Sequence, residues 1–428
     1  MGLVGILLGL GLLLGFSFRG WSVLVLAPAA ALLAAAFAGE PLLAHWTQTF
    51  MSGAAHFMAQ FFPIFLLGAL FGKLMDDSGS VSAIAQYMTR KLGQQRAILA
   101  IVLAGAFVTY GGVSLMVAFF VLVPMAQALF RAAAVPVRLM PATIVLGTST
   151  FTMSALPGTP AVQNAIPMPF FGTTPFAAPG LGIVASAVML GWGLWWLMRA
   201  EAAARRRGEG YNGTAVAIDA VLEDEFVRER ATTSREFDPA EIRRGRHGSP
   251  PPVLLAALPL FIVVAVNLSM SLIVLPRLNV SFLAEQRWGE TTLSGVAGVW
   301  SVIVALAAAI VAVILLNRDR LPALRQSIDA GANASVLPVV SVASLVGFGA
   351  VVAALPAFAA VRDWVLSIEG GPLVSLAVSV NILAAVTGSA SGGLTIALEV
   401  LGKLYMNLAA QTGIDPGLMH RVAVIGSG

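Results

Sequence analysis

The stretch that decides the fold reads SALPGTPAVQNAIP and runs from Ser154 to Pro167. It carries three prolines, a glycine and the amides of Gln163 and Asn164, yet it lies between two long apolar runs. Proline and glycine interrupt helices, and unpaired backbone groups are costly in hydrocarbon, so such a segment persists there only if it is buried in protein or lines a cavity. The stretch therefore predicts a broken membrane helix with a polar site.

The composition predicts an all-α polytopic membrane protein. Of the 428 residues 58% are hydrophobic and 11% charged, and the mean hydropathy is +0.88. Apolar runs long enough to cross a bilayer include residues 21–38, 50–74, 177–198, 253–273 and 293–316. The first apolar run, residues 2–16, has neither a basic leader nor a small-residue cleavage site, so we expect a retained helix.

The chain divides at its most polar segment, residues 199–252, which holds ten arginines and ten carboxylates. We expect a cytoplasmic charged linker there; a lipid-contacting regulatory element is the alternative. The predicted units are N-terminal scaffold helices in 1–49, a first repeat in 50–198, connecting transmembrane helices in 253–327 and a second repeat in 328–428.

Short matches recur in the two halves in the same order. Pro63 precedes Gly72 by nine positions, and Pro338 precedes Gly347 by the same number. With the later matches, four pairs lie at offsets between 275 and 279, which predicts an internal repeat.

The basic residues predict that the two repeats are inverted. If residues 97–130 form a re-entrant hairpin and 139–172 a broken crossing helix, 20 lysines and arginines lie inside and 5 outside. A second hairpin, at about 373–408, then enters from the opposite side. Inverted repeats with broken helices are typical of secondary transporters, which hold substrate near the bilayer midplane.

The expected substrate site lies where these interruptions meet. Half-helix N-termini attract anions, and hydroxyl and amide side chains add donors and acceptors, as in a receptor for a polyhydroxylated acid. Close packing of helices by small polar residues is the alternative. The predicted substrate-binding residues are Thr109, Gly111, Gly112, Ser114, Thr148, Ser149, Thr152, Ser154, Pro157, Gly158, Thr159, Gln163, Asn164, Thr387, Ser389, Ser391, Gly392 and Gly393.

Five motifs resemble the gluconate:proton symporter family of permeases, within the ion transporter superfamily. They are TYGGVSL at 109–115, FTMSALPGTP at 151–160, QNAIP at 163–167, FGTTP at 171–175 and TGSASGG at 387–393. The resemblance spans most of the chain. It implies a scaffold domain, a transport domain with two opposed hairpins, a homodimer and elevator-like movement in the cell (inner) membrane. It also implies proton-coupled uptake of gluconate or a related sugar acid.

Members of this family continue beyond the equivalent of residues 425–428 with a second broken helix and a final span. From the resemblance we therefore expect the second repeat to be truncated here, without a counterpart of SALPGTPAVQNAIP.

Glu399 is the predicted proton-coupling residue, because it is the carboxylate that lies well inside an apolar run. Lys403 follows four positions later, so an intrahelical ion pair is the alternative.

Other ionisable residues are expected to have structural roles. Asp76 and Asp77 are predicted to form a surface cluster at a helix end, and His56 to be a packing residue. Arg421, beside His420, is expected at the outer end of the last segment, where it either attracts an anionic substrate or anchors the topology.

Other function classes find little support in the sequence. An enzyme or primary pump lacks its signals, since no H-E-x-x-H motif, P-loop or cysteine occurs. We therefore predict no enzyme activity, cofactor, metal or nucleic-acid partner. A channel, a sodium-coupled carboxylate transporter and a proton-coupled carrier of another organic or amino acid remain alternatives.

Overall fold

The computed structural model describes residues 2–17, 19–113, 115–211, 251–368, 370–387 and 390–428, and all regular structure in these ranges is helical. Five helices in the described ranges are long and apolar enough to cross a membrane: Leu42–Asp77, Pro179–Arg206, Val253–Arg277, Leu293–Leu316 and Leu324–Ala354. The prediction of an all-α polytopic membrane protein is therefore confirmed.

The first half begins with helices that lead to the broken segment. They are α1 (Gly2–Ser17), α2 (Val23–Ala38), α3 (Leu42–Ala44), α4 (Met51–Asp77), α5 (Ser80–Leu92), α6 (Ala97–Tyr110), α7 (Leu115–Ala132), α8 (Met140–Thr148), α9 (Phe151–Ser154), α10 (Val162–Ala165), α11 (Pro167–Phe171) and α12 (Pro179–Arg206). A π-helical stretch, His45–Phe50, joins α3 to α4 in one continuous rod.

The second half contributes eight further helices within the described ranges. They are α13 (Val253–Ser269), α14 (Leu293–Leu316), α15 (Leu324–Ala334), α16 (Val336–Ala354), α17 (Phe358–Leu366), α18 (Gly371–Thr387), α19 (Ala390–Thr412) and α20 (Pro416–Ser427). A π-helical turn at Met270–Val274 extends α13. Of the predicted linker 199–252, residues 199–206 continue α12, and residues 212–250 lie outside the described part.

The pair α6 and α7 occupies the place of the first predicted hairpin. The two helices pack against each other, and α6 packs on α8. With 14 residues α6 is about 21 Å long, which is shorter than the roughly 30 Å hydrocarbon core. This length is compatible with the predicted hairpin, whose re-entrant course stays a prediction.

The segment predicted to cross as a broken helix is interrupted twice. Between α8 and α9 the chain leaves the helix at residues 149–150, and between α9 and α10 it is non-helical at 155–161. Gly158 adopts φ = +83°, in the left-handed region that glycine tolerates. The interruption thus falls within SALPGTP, as the sequence predicted.

The second half folds back onto this segment. Helices α18 and α19, which correspond to the hairpin expected at about 373–408, pack against each other, and α20 packs on α18. Both α19 and α20 also contact α11. The inverted relation of the repeats and the division into units stay predictions.

The acidic pair at the end of α4 is buried, so the prediction of a surface cluster was wrong. Asp76 and Asp77 are both 7% exposed, and the Lys73 ammonium donates to Asp77 Oδ1 at 2.9 Å. Helix α15 covers this end of α4, and Gly331 lets the two backbones approach closely, because a Cβ there would lie 3.0 Å from Leu70 Cα. An ion pair therefore lies inside the helix packing.

We expect Lys73→Met to lower the thermal unfolding temperature of the purified protein strongly. The substitution leaves a buried carboxylate without its cation, which costs about 3–5 kcal/mol. The control is Arg325→Met, which breaks an ion pair between Arg325 and Asp329 with the same four-residue spacing. In this pair Arg325 Nε lies 3.7 Å from Asp329 Oδ2, and the two side chains are 94% and 65% exposed. Equal shifts for the two variants would contradict a structural role of the buried pair.

Candidate functional site

The non-helical residues 155–161 and the irregular returning chain at 173–178 bring carbonyl groups into the protein interior. Ser154, Thr159 and Asn164 at this segment are each at most 2% exposed. Outside a helix these carbonyls lose their usual N–H partners, and buried backbone groups need others. In this structure side chains supply most of them. We call residues 154–178 the broken segment.

Arg421 is the principal partner of the broken segment. This residue, on α20, is completely buried. It makes five hydrogen bonds, as many as a guanidinium has N–H groups. Nε donates to Ala177 O at 3.0 Å, Nη1 to Ala155 O at 3.3 Å and Asn164 Oδ1 at 3.1 Å, and Nη2 to Pro175 O at 3.0 Å and Ala177 O at 2.9 Å. One side chain of the second half therefore ties together both ends of the interruption.

Two further side chains hold the PGTP turn. The Tyr110 hydroxyl, at the end of α6, donates to Pro157 O at 2.8 Å. Asn267 Nδ2, on α13, donates to Gly158 O at 3.0 Å. Because these donors come from different helices, the turn is fixed between the first hairpin pair and the connecting helices.

Asn164 is the hub of the polar network. Its Nδ2 donates to Thr159 O at 2.9 Å and to Pro175 O at 3.1 Å, so the amide orientation is defined. Its Oδ1 accepts from Arg421, and His420 Nε2 lies 3.2 Å from the same oxygen. This arrangement makes Nε2 a donor. In this structure the Asn164 amide makes its full set of four hydrogen bonds to protein groups.

The network also orients His420. Its Nδ1 lies 2.6 Å from Thr173 Oγ1, so with the proton on Nε2 the Thr173 hydroxyl donates to Nδ1. His420 and Arg421 are both fully buried against the broken segment. They are buried because α20 docks against α11 and the loop that follows it. Their expected location at the outer end of the segment, and the choice between substrate attraction and topology anchoring for Arg421, stay predictions.

Four of the predicted site hydroxyls donate to carbonyls of their own helix or turn. The bonds run from Thr109 to Gly105 O, Thr148 to Ile144 O, Thr152 to Gly147 O and Thr148 O, and Ser154 to Thr150 O, with lengths between 2.8 and 3.1 Å. Ser149 Oγ lies 3.1 Å from Thr148 Oγ1. In this conformation these hydroxyls are engaged in local hydrogen bonds, mainly to backbone carbonyl groups. Their contact with substrate stays a prediction.

The tip of the first hairpin pair touches the broken segment. A Cβ on Gly112, whose φ is +94°, would lie 2.7 Å from Pro160 Cγ. A Cβ on Gly158 would run into the Phe176 ring. Gly111 packs on Leu260 of α13. These glycines are therefore required for close approach, whatever their part in binding.

The predicted residues of the second tip are only partly described. Ser389 lies outside the described residues, as does Ser114 of the first tip. Thr387 is the last residue of α18. Ser391, Gly392 and Gly393 lie in the first turn of α19, which contacts α10 and α11. Both predicted hairpins therefore border the broken segment.

The predicted coupling residue Glu399 lines a separate cavity of about 510 Å³. The other lining residues are Gln48, Thr49, Ser52, Gly53, His56 and Ala350. Glu399 forms no ion pair with Lys403 among the described contacts, although Lys403 lies one helical turn further on. His56 is exposed in this cavity, so the prediction of a packing role was wrong.

Sequence reasoning missed Tyr110 and Asn267, and it did not predict that His420 and Arg421 are buried in this network. One signal was available for Asn267, since it is the amide in the otherwise apolar run of α13. The rule that singled out Glu399, a polar group at membrane depth, applies to it equally. The donors and acceptors themselves lie up to 266 positions apart in the chain.

We expect Arg421→Lys to destabilise the protein and to lower its abundance in the membrane. A lysine keeps the charge but offers three donors without the planar fork, so buried carbonyls lose partners at about 1–3 kcal/mol each. The control is Arg138→Lys, because Arg138 pairs with Glu209 at 2.8 Å with half of its side chain exposed. The measurement is thermal unfolding and membrane abundance. Indistinguishable behaviour of the two variants would contradict the role of Arg421.

Comparison with known proteins identifies the family of the chain. A family model described as GntP family permease matches residues 1–169. The uncharacterized transporter YxjC of Bacillus subtilis (strain 168) is 38% identical over 435 residues, and the alignment covers 100% of this chain and 89% of YxjC. The resemblance to the gluconate permeases is thereby confirmed at the level of the family. The chain is a multi-pass membrane transporter, not an enzyme, and it belongs to the GntP family of permeases.

Proposed function

We propose that the protein is a secondary active transporter that imports a small organic anion, gluconate or a related sugar acid, by proton symport. It acts as a homodimer in the cell (inner) membrane, with the linker 199–252 on the cytoplasmic side. Alternating access is of the elevator type. Family membership supports transport in general, and the chemistry of the broken segment supports an anion as the substrate.

The observation that carries the anion is the uncompensated charge of Arg421. A buried cation is costly unless an opposite charge lies near it. All five of its hydrogen bonds go to neutral oxygens, and no carboxylate of the described residues forms an ion pair with it. An anionic substrate held beside the broken segment supplies the missing negative charge. Since the guanidinium donors are already used, Arg421 acts on the substrate through its field and by positioning the segment.

Two unpaired amide oxygens support a hydroxylated substrate. Among the described residues, Gln163 Oε1 and Asn267 Oδ1 are buried without a hydrogen-bond partner, and Asn267 is completely buried. A buried acceptor without a donor costs about 1–3 kcal/mol. Substrate hydroxyl groups supply such donors, whereas an unsubstituted fatty acid of the same charge does not. A sugar acid therefore fits both the charge and the hydrogen-bonding needs.

The elevator proposal divides the chain as the sequence analysis expected. Residues 1–49 belong to the scaffold, and the two hairpins with the broken helix, from the repeats 50–198 and 328–428, form the transport domain. We further assign the connecting helices of 253–327 to the scaffold. The hydrogen bond from Asn267 to Gly158 then crosses the boundary between the two domains, and it breaks when the transport domain moves.

Glu399 is the proton-coupling residue in this proposal. It lies in α19 and lines an open cavity, so its carboxylate is accessible to water. The positive charge of Lys403, one helical turn further on, acts on this carboxylate.

The proposed function predicts accumulation of labelled gluconate in proteoliposomes when the outside is acidic. Collapse of the pH gradient with a protonophore should abolish accumulation, whereas removal of sodium should not change it. Counterflow exchange should be saturable and persist without a gradient. Accumulation that follows sodium would favour the sodium-coupled alternative, and current without counterflow would favour a channel. Either result contradicts proton symport.

We expect Asn267→Leu to reduce selectivity for hydroxylated acids. Loss of the Oδ1 acceptor removes one hydrogen bond to a substrate hydroxyl, which corresponds to about a tenfold rise in the KM for gluconate and little change for hexanoate. The control is Asn317→Leu. Asn317 is also buried, its Nδ2 donates to Val313 O at 3.1 Å and its Oδ1 has no partner, but it lies at the end of α14. The same selectivity change in both variants would refute a contact between Asn267 and substrate.

A further inference from the structure

One polar stripe in the molecule is not used by the broken segment. Gln48, Ser52 and His56 are spaced four residues apart on the continuous rod of α3 and α4, and Thr49 lies beside them. Residues with this spacing share one face of a helix. The rod is otherwise apolar enough to span a membrane. A polar face on such a helix requires water or polar protein groups opposite it.

Glu399 lies opposite this stripe. The cavity between them has a volume of about 510 Å³, room for on the order of ten water molecules at about 30 Å³ each. On another side of the cavity, α16 packs closely on the rod, since a Cβ on Gly53 would lie 2.8 Å from Ala350 Cβ. The polar lining comes from the rod and α19, and their hydroxyl, amide, imidazole and carboxylate groups suit a chain of water molecules.

Few other ionisable groups on the helices around this cavity are placed to bind the proton instead of Glu399 or His56. The helices α2, α10, α11, α16 and α18 contain no ionisable side chain. The other ionisable groups on the rod, on α19 and on the elements packed against them lie on six helices. They are His45 at the start of the rod, Lys73, Asp76 and Asp77 at the far end of α4, Tyr87, Arg90 and Lys91 on α5, Arg131 on α7, Arg325 and Asp329 on α15, Lys403 and Tyr405 on α19, and His420 and Arg421 on α20, which are buried against the broken segment. None of these groups lines the cavity, whereas His56 and Glu399 do.

We propose that this cavity is the aqueous route of the coupling proton and that His56 relays the proton to Glu399. This inference rests on the proposed proton symport and adds the path and the relay residue. A proton from water binds the His56 imidazole, which then releases it through cavity water to the Glu399 carboxylate. The imidazole returns to its neutral form and the carboxylate becomes a neutral carboxylic acid, so no other reactant is needed. Imidazole suits this role because one ring nitrogen accepts a proton while the other donates one.

The path also explains how proton binding reaches the substrate. Helix α19 carries Glu399 on one side, and it contacts α11 of the broken segment, where a Cβ on Gly402 would lie 3.1 Å from Phe170. Neutralising a carboxylate lowers the cost of moving it through apolar surroundings. Protonation of Glu399 therefore eases the movement of the helix that borders the anion site.

The test compares four variants of the full-length protein in proteoliposomes: His56→Gln, Glu399→Gln, Ser52→Leu and, as control, His45→Gln. His45 is a histidine on the same rod that does not line the cavity. Ser52 is exposed, so a leucine fills the cavity without disturbing the packed core. Two signals are read, gluconate accumulation driven by a pH gradient and proton uptake reported by an enclosed pH dye, with counterflow exchange as the measure of folding.

We expect Glu399→Gln to lose accumulation and proton uptake while it still exchanges substrate. His56→Gln and Ser52→Leu should slow proton-driven uptake about tenfold, with a steeper loss at alkaline external pH, and His45→Gln should behave like the unmodified protein. If the unmodified protein accumulates gluconate with protons but His56→Gln and Ser52→Leu match it, the proposed path is wrong and the symport proposal stands. If the unmodified protein shows no proton-driven uptake, the symport proposal itself fails.

Discussion

The fold depends on satisfying the backbone of one interrupted helix inside apolar surroundings. Where the helix stops, at residues 155–161, carbonyl groups lose their internal donors, and hydrocarbon offers none. Tyr110, Asn164, Asn267 and Arg421 donate to these carbonyls and to those of the returning chain. Because the donors come from α6, α10, α13 and α20, the interruption fixes how these parts of the protein are arranged.

In the proposed function, stability and substrate attraction follow from the same guanidinium. Arg421 holds the broken segment with five hydrogen bonds, and its charge remains in an environment where the described residues place no carboxylate against it. Neutral carbonyl oxygens orient a guanidinium but cancel only part of its field. The site is therefore built before substrate arrives and is electrostatically incomplete without an anion, which is a suitable state for a carrier that must bind and release.

The proposed function gives the two polar places in the membrane region, the broken segment and the cavity at Glu399, different tasks. The broken segment is closed and densely hydrogen-bonded, whereas the cavity at Glu399 is open and polar. Helix α19 borders both of them. Separation of an anion site from a proton site by one helix allows each to be selective, because a group that must exchange protons with water need not also exclude water from the substrate.

The sequence by itself determined the helical class, the apolar spans, the position of the interruption and the family, because these depend on composition and on local breaks in helix periodicity. It also indicated that Glu399 lies at membrane depth. Tertiary structure alone decided which side chains complete the interruption. Arg421 and Ala155 lie 266 positions apart, and no local pattern encodes a contact that forms only when α20 docks on the broken segment. Likewise, Lys73 and Asp77 look like a surface pair in sequence, and they are buried because α15 covers them.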